Sequence, residues 1–118
     1  MPMISDTDRL APAACLFRGF ADPTRLAIVQ LLAESDLRVV DLTARLGLAQ
    51  STVSQHLACL RDCGLVAVRP EGRASVYSVA EPDAVRGLLA AAEVLLASTG
   101  EAVALCATYG APQAPAAR

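Results

Sequence analysis

Cys59 and Cys63 stand four residues apart in a stretch with helical periodicity. On a helix they lie about 40° apart around the axis and one turn apart along it, so their sulfurs can bind one ion. A disulfide between such positions would instead be strained. Two ligands are too few for a tight, closed site, and Cys106, on the C-terminal segment, is the expected third. Thiolates favour soft or borderline ions such as Cd(II), Pb(II), Zn(II), Cu(I) or arsenite over Mg, Ca or Mn. Cys15, beside Leu16 and Phe17, reads as a small packing residue.

The same stretch has a second kind of chemistry. At about 100° per residue, Val53, Leu57 and Leu60 share one face, while Gln50, Ser51, Thr52, Ser54, Gln55 and Arg61 spread over the rest. Short polar side chains with two glutamines near a helix start suit base edges and phosphates. Arg69 and Arg73 flank Pro70-Glu71-Gly72, where a charged hairpin tip would meet a nucleic-acid backbone. All ten basic residues are arginine, the better fork for phosphate and guanine. The formal net charge of −2 argues the other way, but it is a whole-chain average, and Arg61, Arg69 and Arg73 cluster mid-chain. His56 reads as a packing and hydrogen-bonding residue of the helix.

These residues need elements to position them. Residues 7–20 suggest a first helix, with Leu10, Ala14, Phe17 and Phe20 at helical spacing. Asp22-Pro23 announces a second, with Asp as N-cap and Pro at the first helical position; it runs to about Ala33 and buries Leu26, Val29 and Leu32, with Ile28 and Leu31 widening the stripe. Val39 to Leu46 forms a short third helix capped by Gly47, and Gln50 to Cys63 a fourth ended by Gly64. Helix, tight glycine turn, helix is the helix-turn-helix pattern. Leu65–Arg69 and Ser75–Val79 then make a β-hairpin. A last helix, about Asp83 to Ala97, is so apolar that one small domain cannot bury every side, which points to dimerisation.

The 118 residues make one domain of ordinary size, and 54% of them are apolar while only 3% are aromatic, so the core is built from aliphatic helix faces. The expected fold class is mainly α with a small β-hairpin, a dimeric winged helix-turn-helix. Residues 1–99 form the DNA-binding and dimerisation domain, and 100–118 a tail carrying the third candidate ligand. No apolar run is long enough for a membrane span, and MPMISDTDRL is no secretory signal. A cytoplasmic location with reduced thiols is expected. No nucleophile–base pair, phosphate loop or paired carboxylates suggest an enzyme.

Ala21-Asp22-Pro23-Thr24-Arg25, Leu46-Gly47-Leu48, Ser51 to Leu57, Leu60-Arg61, Cys63 to Val66, Glu71-Gly72-Arg73 and Val76-Tyr77 together resemble the ArsR/SmtB family of dimeric, winged-helix, metal-sensing repressors. Leu57 to Leu65, with its two cysteines, is similar to the cadmium/lead sensors of that family. The resemblance implies that Cys59, Cys63 and Cys106 form the sensor site. Other family sites are missing. Arg38 and Val40 stand where related sensors carry Cys-x-Cys, and the only histidine is His56, so the zinc and nickel site of the last helix cannot be built.

The expected function is a metal-responsive repressor that binds double-stranded operator DNA as a homodimer. A thiophilic ion, Cd(II) or Pb(II) first and arsenite or Zn(II) next, would release it. Two rivals are a thiol redox-sensing repressor on the same fold and a dimerisation module that binds no DNA.

Overall fold

The protein is described here by a computed structural model covering residues 7–101, 104 and 105. Cys106 and the rest of the expected tail lie outside the described residues. Five helices and a small sheet follow in the order α1 (Ala11–Gly19), α2 (Pro23–Glu34), β1 (Leu37–Arg38), α3 (Val39–Leu46), α4 (Gln50–Asp62), β2 (Val66–Glu71), β3 (Ala74–Val79) and α5 (Pro82–Ser98). Residues 7–9 add a helical turn before α1. No helix among the described residues is long and apolar enough to cross a membrane.

The local rules that start and stop these helices are visible in the backbone. The Asp22 carboxylate accepts the Thr24 and Arg25 amides at 2.8 and 3.1 Å, satisfying two donors that the first turn of α2 leaves without helical partners. Those bonds, the one from Arg25 foremost, hold the Asp22 carboxyl below its ordinary pKa. Pro23 follows with its φ already set for a helix. Gly47 ends α3 in the left-handed region, at φ 68°, which turns the chain into α4 without a Cβ penalty.

The core is aliphatic and centred on α2 and α4. Ile28, Val29 and Leu32 of α2 meet Val53, Leu57 and Leu60 of α4, with Leu42 of α3, Leu65, Val66 and Val79 of the sheet and its entry, and Val85 and Leu89 of α5 closing the shell. The buried side of α2 holds Val29 and Leu32 as expected, but Ile28 takes the place given to Leu26, which lies at the margin with Leu31.

One feature differs from the sequence reading. The sheet has three strands, order β1-β3-β2, because Leu37 and Arg38 pair antiparallel with Tyr77 and Val76. A two-residue strand carries too little alternation to be read from sequence. The apolar face of α1 packs only in part. Leu10 and Phe17 are 61% and 58% exposed, and so are Val94 and Leu95 of α5, at 70% and 68%. Between the two helices runs an apolar groove of about 360 Å³ lined by Phe17, Phe20, Leu88, Ala92, Leu95 and Leu105, among others.

Leu57 is fully buried where α2 and α4 meet. Leu57→Ala should lower the unfolding free energy by about 2–5 kcal/mol, read as a shift of the urea midpoint at unchanged slope. A loss below about 1 kcal/mol would mean that α4 does not pack on the core as described.

Candidate metal centre and nucleic-acid interface

α4 divides its surface three ways. Val53, Leu57 and Leu60 are buried, whereas Gln50, Ser51, Ser54, Gln55 and Arg61 are exposed and Thr52 is half-buried. The exposed set begins at the helix start, where the backbone amides also point outward. The hairpin is paired without interruption from Val66↔Val79 to Glu71↔Ala74, which carries Arg69 and Arg73 out together on the exposed wing. Arg69 is already engaged: its guanidinium donates to Asp36 at 2.7 Å and lies 3.6 Å from Glu71. The Asp36 hydrogen bond is the main reason its pKa is raised. Arg69 thus braces the wing against the segment before β1, and Arg73 sits at the tip beside Gly72.

The cysteines gather at the other end of α4. Cys59 and Cys63 are both half-buried, Cys63 at the C-cap. Cys15, expected to be a packing residue, reaches across from α1 and places its sulfur 2.6 Å from that of Cys63. Sequence reasoning missed this meeting, and the signal that points to it is Gly19. A Cβ there would come within 2.7 Å of Leu65 Cδ1 and 3.7 Å of Cys63 Cβ. A glycine inside a helical pattern costs about 1 kcal/mol against alanine and therefore suggests a packing reason. Here the reason is the Leu65 side chain, just past the end of α4, which packs over Gly19 one turn beyond Cys15.

The cluster is electrostatically tense. Burial pushes the Cys63 thiol up to about 11, and the neighbouring Cys15 and Cys59 sulfurs push in the same direction. Cys59 and Cys63, one turn apart on α4, are soft donors that suit a thiophilic ion. Among the described residues no three His, Cys, Asp or Glu side chains already converge as a complete ligand set. Leu105, next to Cys106 in the chain, is tethered on both sides: its carbonyl accepts from Gln30 Nε2 at 2.7 Å, and its amide donates to the Glu93 carboxylate.

A polar tie joins α1, α2 and α4. Arg25 donates from Nε to the Gly19 carbonyl at 3.1 Å and from its guanidinium to the Arg18 carbonyl at 2.9 Å, and it lies 3.4 Å from His56 Nδ1. A guanidinium only donates, so His56 Nδ1 accepts. In the neutral ring the proton then sits on Nε2, which is 4.0 Å from the Asp22 carboxylate. His56 is thus part of the frame that sets the tilt of α4.

Comparison with known proteins bears out the fold and gives the family. Residues 22–68 match the bacterial regulatory protein, arsR family. The chain is 41% identical over 95 residues to the HTH-type transcriptional regulator CmtR of Mycobacterium tuberculosis, covering 80% of each chain. It is 38% identical over 93 residues to a probable mercury resistance operon repressor of Streptomyces lividans, covering 79% of this chain and 74% of that one. Among solved structures, the cadmium metal-sensor CmtR of M. tuberculosis superposes with a TM-score of 0.56 at 45% identity, covering 64% of this chain and 78% of that chain. The homodimeric winged helix-turn-helix domain of Mycobacterium bovis Mb0332 superposes with a TM-score of 0.72 at 30% identity, covering 81% and 88%.

Alkylation follows the thiolate, so Cys63 should label slowly with iodoacetamide at neutral pH, with a rate that climbs towards a midpoint near pH 11. Cys15→Ala removes a hydrogen bond and a like charge, so the midpoint should move down while the burial contribution remains. A midpoint already at the ordinary value of 9.0 in the unsubstituted protein would show that the cluster is not packed this way.

Proposed function

The chain belongs to the ArsR family of bacterial transcriptional regulators, and from that premise we propose that it is a homodimeric repressor whose hold on operator DNA is released by a thiophilic metal ion. The observation that carries this reading is the division of α4, with exposed polar residues over its first turns and thiols at its last. In a helix-turn-helix the second helix enters the major groove with its N-terminal residues at the base edges. Gln50, Ser51, Thr52, Ser54 and Gln55 take that role here. Arg61, Arg73 and, on exchanging its carboxylate partners, Arg69 supply phosphate contacts.

The ion would be held by Cys59, Cys63 and Cys106. Cd(II) and Pb(II) fit the soft donors best, in keeping with the cadmium sensor and the mercury operon repressor among the relatives. Each thiol must lose its proton to bind, so affinity falls as pH falls. Because the ligands stand on the reading helix, metal and DNA compete for its position, through one reciprocal coupling free energy.

The homodimer reading rests on the exposed apolar faces of α1 and α5, which a second copy would cover by two-fold symmetry. The pairing of two reading helices then matches a palindromic site, one helix per half-site. Sedimentation at micromolar concentration should give a dimer, and Leu95→Glu, at an exposed position, should give a folded monomer. A monomeric unsubstituted protein would overturn the assignment.

Selection from a random duplex library should yield a palindromic operator. Arg73→Ala should then weaken binding to every sequence and flatten the salt dependence, whereas Gln55→Ala should relax sequence preference. Cd(II) should weaken operator binding by roughly 5–150-fold, the usual span of allosteric coupling. Cys59→Ser and Cys63→Ser should keep the operator and lose that response, and Cys106→Ser should weaken it. Undiminished release by Cd(II) in Cys59→Ser and Cys63→Ser would refute the site.

A further inference from the structure

We propose that Cys15 and Cys63 are a reversible disulfide site, and that closing it leaves the protein on its operator while withdrawing Cys63 from metal. The second half rests on the metal site proposed above; the first rests on geometry alone. The two sulfurs come from different helices, α1 and the C-cap of α4, and face each other at 2.6 Å. A disulfide bond is about 2.05 Å long, so closing it needs a displacement of only about half an ångström. α1 packs against this end of α4: a Cβ at Gly19 would lie in ordinary van der Waals contact with Cys63 Cβ, at 3.7 Å. Both residues are half-buried, so a small oxidant can reach them without unfolding the domain.

The oxidant class is a peroxide, and the chemistry balances with no other reactant. One sulfur, as thiolate, attacks a peroxide oxygen; the O–O bond breaks, and the leaving hydroxide takes a proton to become water. The resulting sulfenic acid is attacked by the second sulfur; the S–O bond breaks, and the oxygen leaves as a second water. Each sulfur is oxidised by one electron, and the peroxide is reduced by two. A dithiol reductant reverses the reaction by exchange.

The consequence follows from which residues are shared. Cys63 serves both the disulfide and the metal site, so the two states exclude each other. The tie from Arg25 to His56 and the core face of α4 are untouched by the new bond, so the reading helix keeps its place. Peroxide would therefore produce a repressor that holds DNA and ignores metal, while reductant restores the response.

Trypsin separates all four cysteines, because arginines place Cys15 in residues 10–18, Cys59 in 46–61, Cys63 in 62–73 and Cys106 in 87–118. After treatment of the full-length reduced protein with hydrogen peroxide, the non-reduced digest should contain the 10–18 peptide joined to the 62–73 peptide, lost again on reduction. The oxidised protein should keep its operator affinity, lose the Cd(II) charge-transfer absorption shown by the reduced protein, and stay on DNA when Cd(II) is added. Cys15→Ser should form no such link and should keep its Cd(II) absorption after the same treatment. The peptide map reads the link independently of metal, and Cd(II) binding by the untreated protein tests the metal site independently of the link. A link of Cys63 to Cys59 or Cys106, no link at all, or loss of operator binding on oxidation would overturn the proposal.

Discussion

Everything in this molecule depends on how α4 is clamped. One helix of thirteen residues buries a face in the core, exposes a polar face that the proposed function turns to DNA, and carries thiols at its end. It can do so only if its position is fixed along its whole length. The core side is fixed by Val53, Leu57 and Leu60, all fully buried. The middle is fixed by His56 through Arg25, which also caps the last carbonyls of α1. The C-terminal end is fixed by the close approach of Gly19 to Leu65 and Cys63. A dense interior does not deform continuously, so a ligand that pulls on Cys59 or Cys63 strains the helix as a body.

The wing is held by a different kind of force. Arg69 bridges Asp36 and Glu71 at the surface, with all three side chains about half exposed or more. Such pairs contribute little to stability, but they fix where the hairpin leans. They also keep a cation masked in the free protein, so a phosphate approaching Arg69 must displace a carboxylate. The arginine at the tip, Arg73, has the better placement for the first contact.

Much of this was legible in the sequence because it rests on local rules. Asp22-Pro23, Gly47 and Gly64 marked the helix boundaries, and the period of the apolar residues gave the buried faces of α2 and α4. What was not legible depends on non-local approach. β1 exists only because β3 passes beside it. The apolar face of Leu10 and Phe17 lies open, as do Val94 and Leu95, and periodicity shows that a face is apolar without showing what covers it. Cys15 looked inert because its partner is 48 positions away.

The placement of the thiols also decides how independent their chemistry can be of DNA reading. Cys59 lies within the helix and Cys63 at its cap, so anything bound to both spans the last turn. Cys15 lies on α1, whose final carbonyls are held by the same arginine that touches His56. A perturbation at the sulfur cluster therefore has two routes to the reading face: along α4 itself, and through α1 and Arg25. These routes share one endpoint, the tilt of α4 at His56, one residue from Gln55. A disulfide that only closes a contact already made leaves that tilt alone. The proposed ion, drawing Cys59 and Cys63 towards a third ligand, would not, because it would change the position of the last turn relative to the core. On the two proposals, the same four cysteines would support two chemically distinct inputs, and which of them moves α4 would depend on geometry rather than on the identity of the sulfur.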